Sequence, residues 1–108
     1  MATYSLSIVT PRGNAFEGSV KSFIVPGVEG NFEILANHAA LVALTKSGIA
    51  TIIQDSGRRY VAMGAGVLEV NAGHNCLALV DFARMAANYD EALERLQKDH
   101  SEVYLKSR

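Results

Sequence analysis

Tyr4, Leu6 and Ile8 alternate with Ser5, Ser7 and Val9, a period of two that predicts a strand with one buried face. Thr10-Pro11-Arg12-Gly13-Asn14 then supplies turn chemistry, because proline and glycine set backbone angles that strands do not use. Further apolar runs over 20–25, 31–35, 41–45, 49–54, 59–63, 66–70 and 76–82 read as short strands, the first of them stopped by Pro26-Gly27. Asp55-Ser56-Gly57-Arg58 and Asn71-Ala72-Gly73-His74-Asn75 separate neighbouring runs and predict hairpins. No helical period interrupts this series, so the pattern predicts a sandwich or flattened barrel. Ala50-Thr51-Ile52-Ile53 and Leu77-Ala78-Leu79-Val80 are apolar on both faces. Such strands lie in the middle of a two-layer core or against another protein.

After residue 87 the period changes. Tyr89, Leu93, Leu96, His100 and Val103 recur at helical steps, with Glu91-Arg95, Glu94-Lys98 and Glu102-Lys106 as i,i+4 pairs on the other face. Asn88 with Glu91 has the spacing of a capping box, and Asp90 is an equally good cap. A helix of this length is marginal alone in water, so its stripe is expected to dock. All nine glycines lie in the first 73 residues, whereas nine of the last 21 residues are charged. The chain is accordingly divided into a β unit, 1–87, and a helical unit, 88–108.

Composition narrows the function classes. With 108 residues and 49% hydrophobic content the chain builds a core. A net charge of -1 argues against nucleic acid as a partner, since phosphate binding needs a basic excess. No apolar run reaches the length of a membrane span, and residues 1–6 do not read as a secretory signal. The lone Cys76 allows neither an internal disulfide nor a metal cluster, which points to a reducing compartment.

Candidate chemistry is sparse. Gly64-Ala65-Gly66 looks like the start of a dinucleotide fingerprint, but a strand follows where a helix is required. His38, His74 and His100 have no second ligand at metal spacing; His74 reads as a solvated turn residue and His100 as helix packing. His38, in the loop after Ala36-Asn37, is the one histidine with a candidate role. Cys76 reads as a small core residue, and Arg58-Arg59, with Asp55 nearby, as a solvated hairpin tip. No nucleophile–base pair, carboxylate pair or metal set is present. These features indicate a binding or structural part without a cofactor.

The segment Val25-Pro26-Gly27-Val28-Glu29-Gly30-Asn31-Phe32-Glu33-Ile34-Leu35-Ala36-Asn37-His38-Ala39-Ala40-Leu41 resembles the epsilon subunit of F-type ATP synthases. Ile8-Val9-Thr10-Pro11, Phe16-Glu17-Gly18 and Gly64-Ala65-Gly66-Val67-Leu68-Glu69-Val70 match the same family in order, so the likeness covers residues 4–86. The resemblance implies a mainly β fold, a flattened ten-stranded β-sandwich, here followed by a single short C-terminal α-helix. It implies a non-catalytic rotor part of the central stalk, which couples ion-driven rotation of the c-subunit ring to ATP synthesis. Its partners would be the gamma subunit and the c-ring, with transient contact to alpha and beta subunits. It would sit peripherally on the cytoplasmic, stromal or matrix side of an energy-coupling membrane, without inserting. By position, Glu29, Gly30, Asn31 and His38 fall at the ring contact. The grip on gamma is expected from an exposed apolar face with a polar rim, sought at Leu41, Val42, Leu44, Val67 and Leu68.

The chain departs from the family pattern in several places. Glu33 replaces a glycine, and Ala36 and Ala40 replace prolines, which loosens the loop. The family's C-terminal region is a helical hairpin; the residues after Ala87 suffice for one helix. Its ATP-binding motif is degenerate here, Tyr89-Asp90-Glu91-Ala92-Leu93-Glu94, with no arginine, so neither Asp90 nor Glu94 is expected to serve nucleotide binding. Two other readings stay open: a regulator whose single helix brakes ATP hydrolysis, and a free-standing sandwich binding a small ligand. The second would need aromatic pocket walls, and the chain has no tryptophan.

Overall fold

A computed structural model of the chain describes residues 2–71 and 75–106, with side chains described as far as Lys98. Ten strands precede one helix: β1 (Tyr4–Thr10), β2 (Gly13–Val20), β3 (Ser22–Gly27), β4 (Gly30–Leu35), β5 (Leu41–Thr45), β6 (Gly48–Gln54), β7 (Gly57–Met63), β8 (Gly66–Asn71), β9 (Asn75–Val80), β10 (Ala83–Ala86) and α1 (Tyr89–Lys106). The hydrogen-bonded order is β10-β7-β6-β3-β5-β8-β9-β1-β2, with β4 joined only to β3. The sheet turns a corner where β3 passes from β6 to β5 at the single pair Gly27↔Thr45. Its two halves then face each other across the core, which bears out the flattened ten-stranded sandwich with one C-terminal helix.

Alternation along each strand decides what is buried. Tyr4, Leu6 and Ile8 of β1, Phe23 and Val25 of β3, Ile52 of β6, Val61 and Met63 of β7, Leu68 and Val70 of β8, and Cys76 and Ala78 of β9 form one cluster between the halves. Burial pushes the Cys76 thiol from 9.0 up to about 12, the expected state of a small core residue. Burial first, and then nearby Cys76, raises the pKa of Tyr4, whose hydroxyl donates to the Ile34 carbonyl at 2.6 Å.

Several boundaries differ from those expected. Strand β2 was not anticipated, because Gly13-Asn14-Ala15-Phe16-Glu17-Gly18-Ser19-Val20 buries only Phe16 and Val20. Its pairing with β1 along the whole strand holds it extended. The third strand runs through Pro26 rather than stopping there. The proline carbonyl accepts from the Lys46 amide at 2.9 Å, and the missing N–H falls at the corner between β6 and β5, where no ladder bond is lost. The run expected over 76–82 ends at Val80. Asp81 and Phe82 instead form a turn tied to Ala65 and Gly64, and the short β10 returns to pair with β7.

The helix does dock. Asn88 caps it, its side-chain oxygen accepting from the Glu91 amide at 2.9 Å, while the Glu91 carboxylate binds Arg95 at 2.7 Å. It packs on the outer face of β6, β7 and β10. Ala62 and Ala86 point outward by alternation yet are buried, and Ala92 of the helix is fully buried. Three small side chains therefore let the helix approach the sheet closely. The expected stripe is only partly right: Tyr89 is 54% exposed, touching Tyr60 edge-on at 6.2 Å, and Leu93 is 38% exposed. The stripe's His100 and Val103, the pair Glu102-Lys106, and His74 lie outside the described side chains. Ala92→Leu is expected to overpack this seam by about 1–3 kcal/mol and lift the helix. Amide exchange should then accelerate over 89–98 while β1–β10 keep their protection; retained helix protection would refute the seam.

Candidate functional site

The hairpin joining β3 and β4 closes on Val28 and Glu29 between paired Gly27 and Gly30. Gly30 has φ +124°, a conformation that side-chain-bearing residues rarely adopt, so a glycine holds this tip. Glu29, Gly30 and Asn31 are therefore together, exposed at one end of the sandwich. His38 is not with them. It follows β4 at its other end, and five residue steps of about 3.3 Å put roughly 17 Å of strand between. There Asn37 adopts φ 68°, the His38 amide donates to the Leu35 carbonyl at 3.2 Å, and the His38 ring Nδ1 donates to the Ala39 carbonyl at 2.7 Å. The four residues thus mark the two ends of one edge strand. Between them the Glu33 carboxylate accepts from the Ser22 hydroxyl.

The apolar strands present a second feature. On the outer face of the half opposite the helix, Leu44, Val67, Leu79 and Val9 are consecutive cross-strand neighbours on β5, β8, β9 and β1. Leu44 is 58%, Val67 37% and Leu79 49% exposed; Val42 at 69% and Val28 at 57% adjoin the β5 end. Glu69 and Glu17 lie along the next row, Val42-Glu69-Leu77-Ser7-Glu17, and give the strip an acidic margin. Of the five positions expected on this face, Val42, Leu44 and Val67 are on it. Leu68 is not: it is fully buried in the core, and Leu41 also turns inward against the core. Adjacent residues of a strand cannot share a face, because a period of two sends every second side chain to the other side. Leu79 and Val28 were missed as members, although the two-sided apolar run over 77–80 signalled the first.

No group of three or more metal-ligating side chains occurs among the described residues, and no described helix is long and apolar enough to cross a membrane. Asp55 pairs with Lys21 at 3.0 Å, and Arg59 lies over the Phe16 ring at 5.6 Å. Asp90 and Glu94 are both exposed on the first helical turns.

Fold and surface together define a β-sandwich domain with an exposed apolar strip and a docked helix, the build of a part held in an assembly. The chain belongs to the ATP synthase Delta/Epsilon chain family, whose beta-sandwich domain matches residues 3–86. It is 38% identical over 93 residues to the ATP synthase epsilon chain of Rhodopseudomonas palustris, covering 86% of this chain and 68% of that one. It is 36% identical over 107 residues to the epsilon chain of Afipia carboxidovorans, covering 99% and 78%. In fold it is similar to a chain of the Euglena gracilis mitochondrial ATP synthase OSCP/F1/c-ring structure, at TM-score 0.75 and 21% identity, covering 100% of this chain and 68% of that one. A chain of the Tetrahymena thermophila central stalk/c-ring structure matches at TM-score 0.62 and 16% identity, covering 74% and 64%.

Proposed function

We propose that this chain is a non-catalytic central-stalk subunit of an F-type ATP synthase, held between the gamma shaft and the c-ring so that ring rotation drives ATP synthesis elsewhere. The observation that carries this reading is the exposed row Leu44-Val67-Leu79-Val9 with its acidic margin, because an apolar centre with a polar rim is the anatomy of a protein interface. The shaft is assigned to this face, with Val42, Leu44, Val67, Leu79 and Val28 as contacts. The ring is assigned to the β4 edge, from Glu29, Gly30 and Asn31 at the hairpin to His38 beyond its far end. A ring contact that includes all four must run along the edge strand.

The division into a β unit, 1–87, and a helical unit, 88–108, belongs to the same proposal, as do transient contacts with alpha and beta subunits. The placement, peripheral on the side of the coupling membrane that carries the catalytic subunits, follows from the role. Load transfer needs stiffness, and the close-packed core between two hydrogen-bonded sheet halves provides it.

Co-purification from native membranes tests the reading. The chain should be recovered with shaft, ring and catalytic subunits, and its recovery alone would overturn the proposal. Glu29→Lys reverses charge at an exposed tip, so the melting temperature of the isolated chain should stay within a few degrees. Coupled ion pumping by the assembled enzyme should fall severalfold. Unchanged pumping and assembly would remove Glu29 from the ring contact.

A further inference from the structure

Strand β5 is paired along its length only with β8, and it meets β3 at Thr45 alone. Its other edge is open over 41–43. In an antiparallel strand the N–H and C=O of one residue point to the same side, and the side alternates from residue to residue. The Leu44 carbonyl accepts from the Val28 amide at 3.3 Å and so faces away from β8. Two residues earlier, the Val42 N–H and C=O face that same open side, a donor and an acceptor with no partner among the described residues. They look into a cleft of about 450 Å³ lined by Gly27, Val28, Glu29 and Phe32 of the hairpin and by Val42 and Leu44 opposite. An open strand edge beside apolar side chains is a template for another strand.

Resting on the proposed grip on the shaft, we infer that an extended segment of the shaft subunit adds as a strand to the free edge of β5, exchanging two backbone hydrogen bonds with Val42. The occupant is identified by chemistry. Apart from Glu29, which is assigned to the ring, the described residues lining the cleft carry no charge, and Val28, Phe32 and Leu44 make its walls apolar. The segment therefore carries apolar residues at alternate positions to meet Val28 and Leu44. The edge is continuous with the apolar row, since Leu44 belongs to both, so one partner covers them together.

The test is equilibrium binding of the full chain to the purified shaft subunit, without the ring. Val42→Pro deletes the donor, and the fold tolerates it because that N–H faces the open edge. Val42→Thr keeps the donor and the branched shape. Binding should weaken about tenfold or more for Val42→Pro and stay within about threefold for Val42→Thr. In wild type, exchange of the Val42 amide should slow markedly on binding. Equal affinities for the two variants, strong or weak, would overturn strand addition, as would an unprotected Val42 amide in the complex. Should Val42→Pro lower the melting temperature strongly, the exchange measurement on wild type decides alone. Failure of the wild-type chain to bind the shaft at all would instead defeat the parent reading.

Discussion

Gly66→Ala is expected to destabilise the isolated chain more than any other single methyl added to its glycines, taking away most of the stability of a domain at the low end of the usual range. A Cβ built on Gly66 would stand 1.9 Å from the Leu79 carbonyl oxygen and 2.8 Å from both the Leu79 carbonyl carbon and the Val80 Cα. All three atoms are backbone, so no side-chain rotation relieves the clash. Gly66 pairs with Val80 at the start of the β8–β9 ladder and with Thr45 at the end of β5. Opening that point disturbs both neighbours of β8, including the strand that carries the corner to β3. The cost should reach about 4 kcal/mol or more, in the range reserved for strained or overpacked sites, against a total of about 5–15 kcal/mol for a domain of this kind. Gly64→Ala makes the control. Its Cβ would meet the Phe82 ring at 2.9 Å and Asp81 at 3.1 Å, groups that can shift, so a loss of about 1–3 kcal/mol is expected. Urea unfolding followed by circular dichroism reads both. A Gly66→Ala protein melting within a few degrees of wild type would contradict the packing.

The same glycine shows what a sequence reveals and what it conceals. Gly64-Ala65-Gly66 was separable from a dinucleotide loop because a strand follows it, but only the fold shows why alanine fails there: a carbonyl of β9 occupies the space. Strand β1 was legible by its alternation, and β3 through β9 as short apolar runs bounded by turn residues. Strand β2 was not, since two of its residues are glycine and its order comes from pairing with β1. Nor was β10, Ala83-Arg84-Met85-Ala86, whose residues favour helix and are held extended by the ladder to β7. The helix was legible as a helix, but its contact was not. Periodicity marks large apolar residues, whereas the seam is built from Ala62, Ala86 and Ala92, which carry little hydrophobic signal. At the candidate site, Glu29, Gly30 and Asn31 are adjacent in sequence and in space. His38 looked adjacent by motif and is separated by the length of β4. Leu68 and Leu41 were misplaced on the outer face, an error that strand alternation corrects.

Val67→Glu tests the apolar row at its centre and is expected to sever the chain from the shaft while leaving it folded. Val67 lies between Leu44 and Leu79 on the outer face and is already 37% exposed. In the free chain a glutamate there reaches water. Glu69, two residues along the same face, adds a mild like-charge repulsion, so stability should change by no more than about 1 kcal/mol. In the assembled state the same carboxylate would be desolvated among apolar side chains without a partner. An unpaired buried charge costs about 3–5 kcal/mol, which corresponds to a hundredfold or greater loss of affinity. Val67→Ala removes only packing and should lose far less. Glu69→Lys, at the margin, should change the salt dependence of association more than its strength, because rim charges act chiefly on the rate of encounter. Binding of the three variants to the purified shaft subunit, measured at two salt concentrations, distinguishes centre from rim. If Val67→Glu binds as wild type does, the row is not the shaft interface, and the opposite face, with its half-exposed Tyr89 and Leu93, becomes the surface to examine.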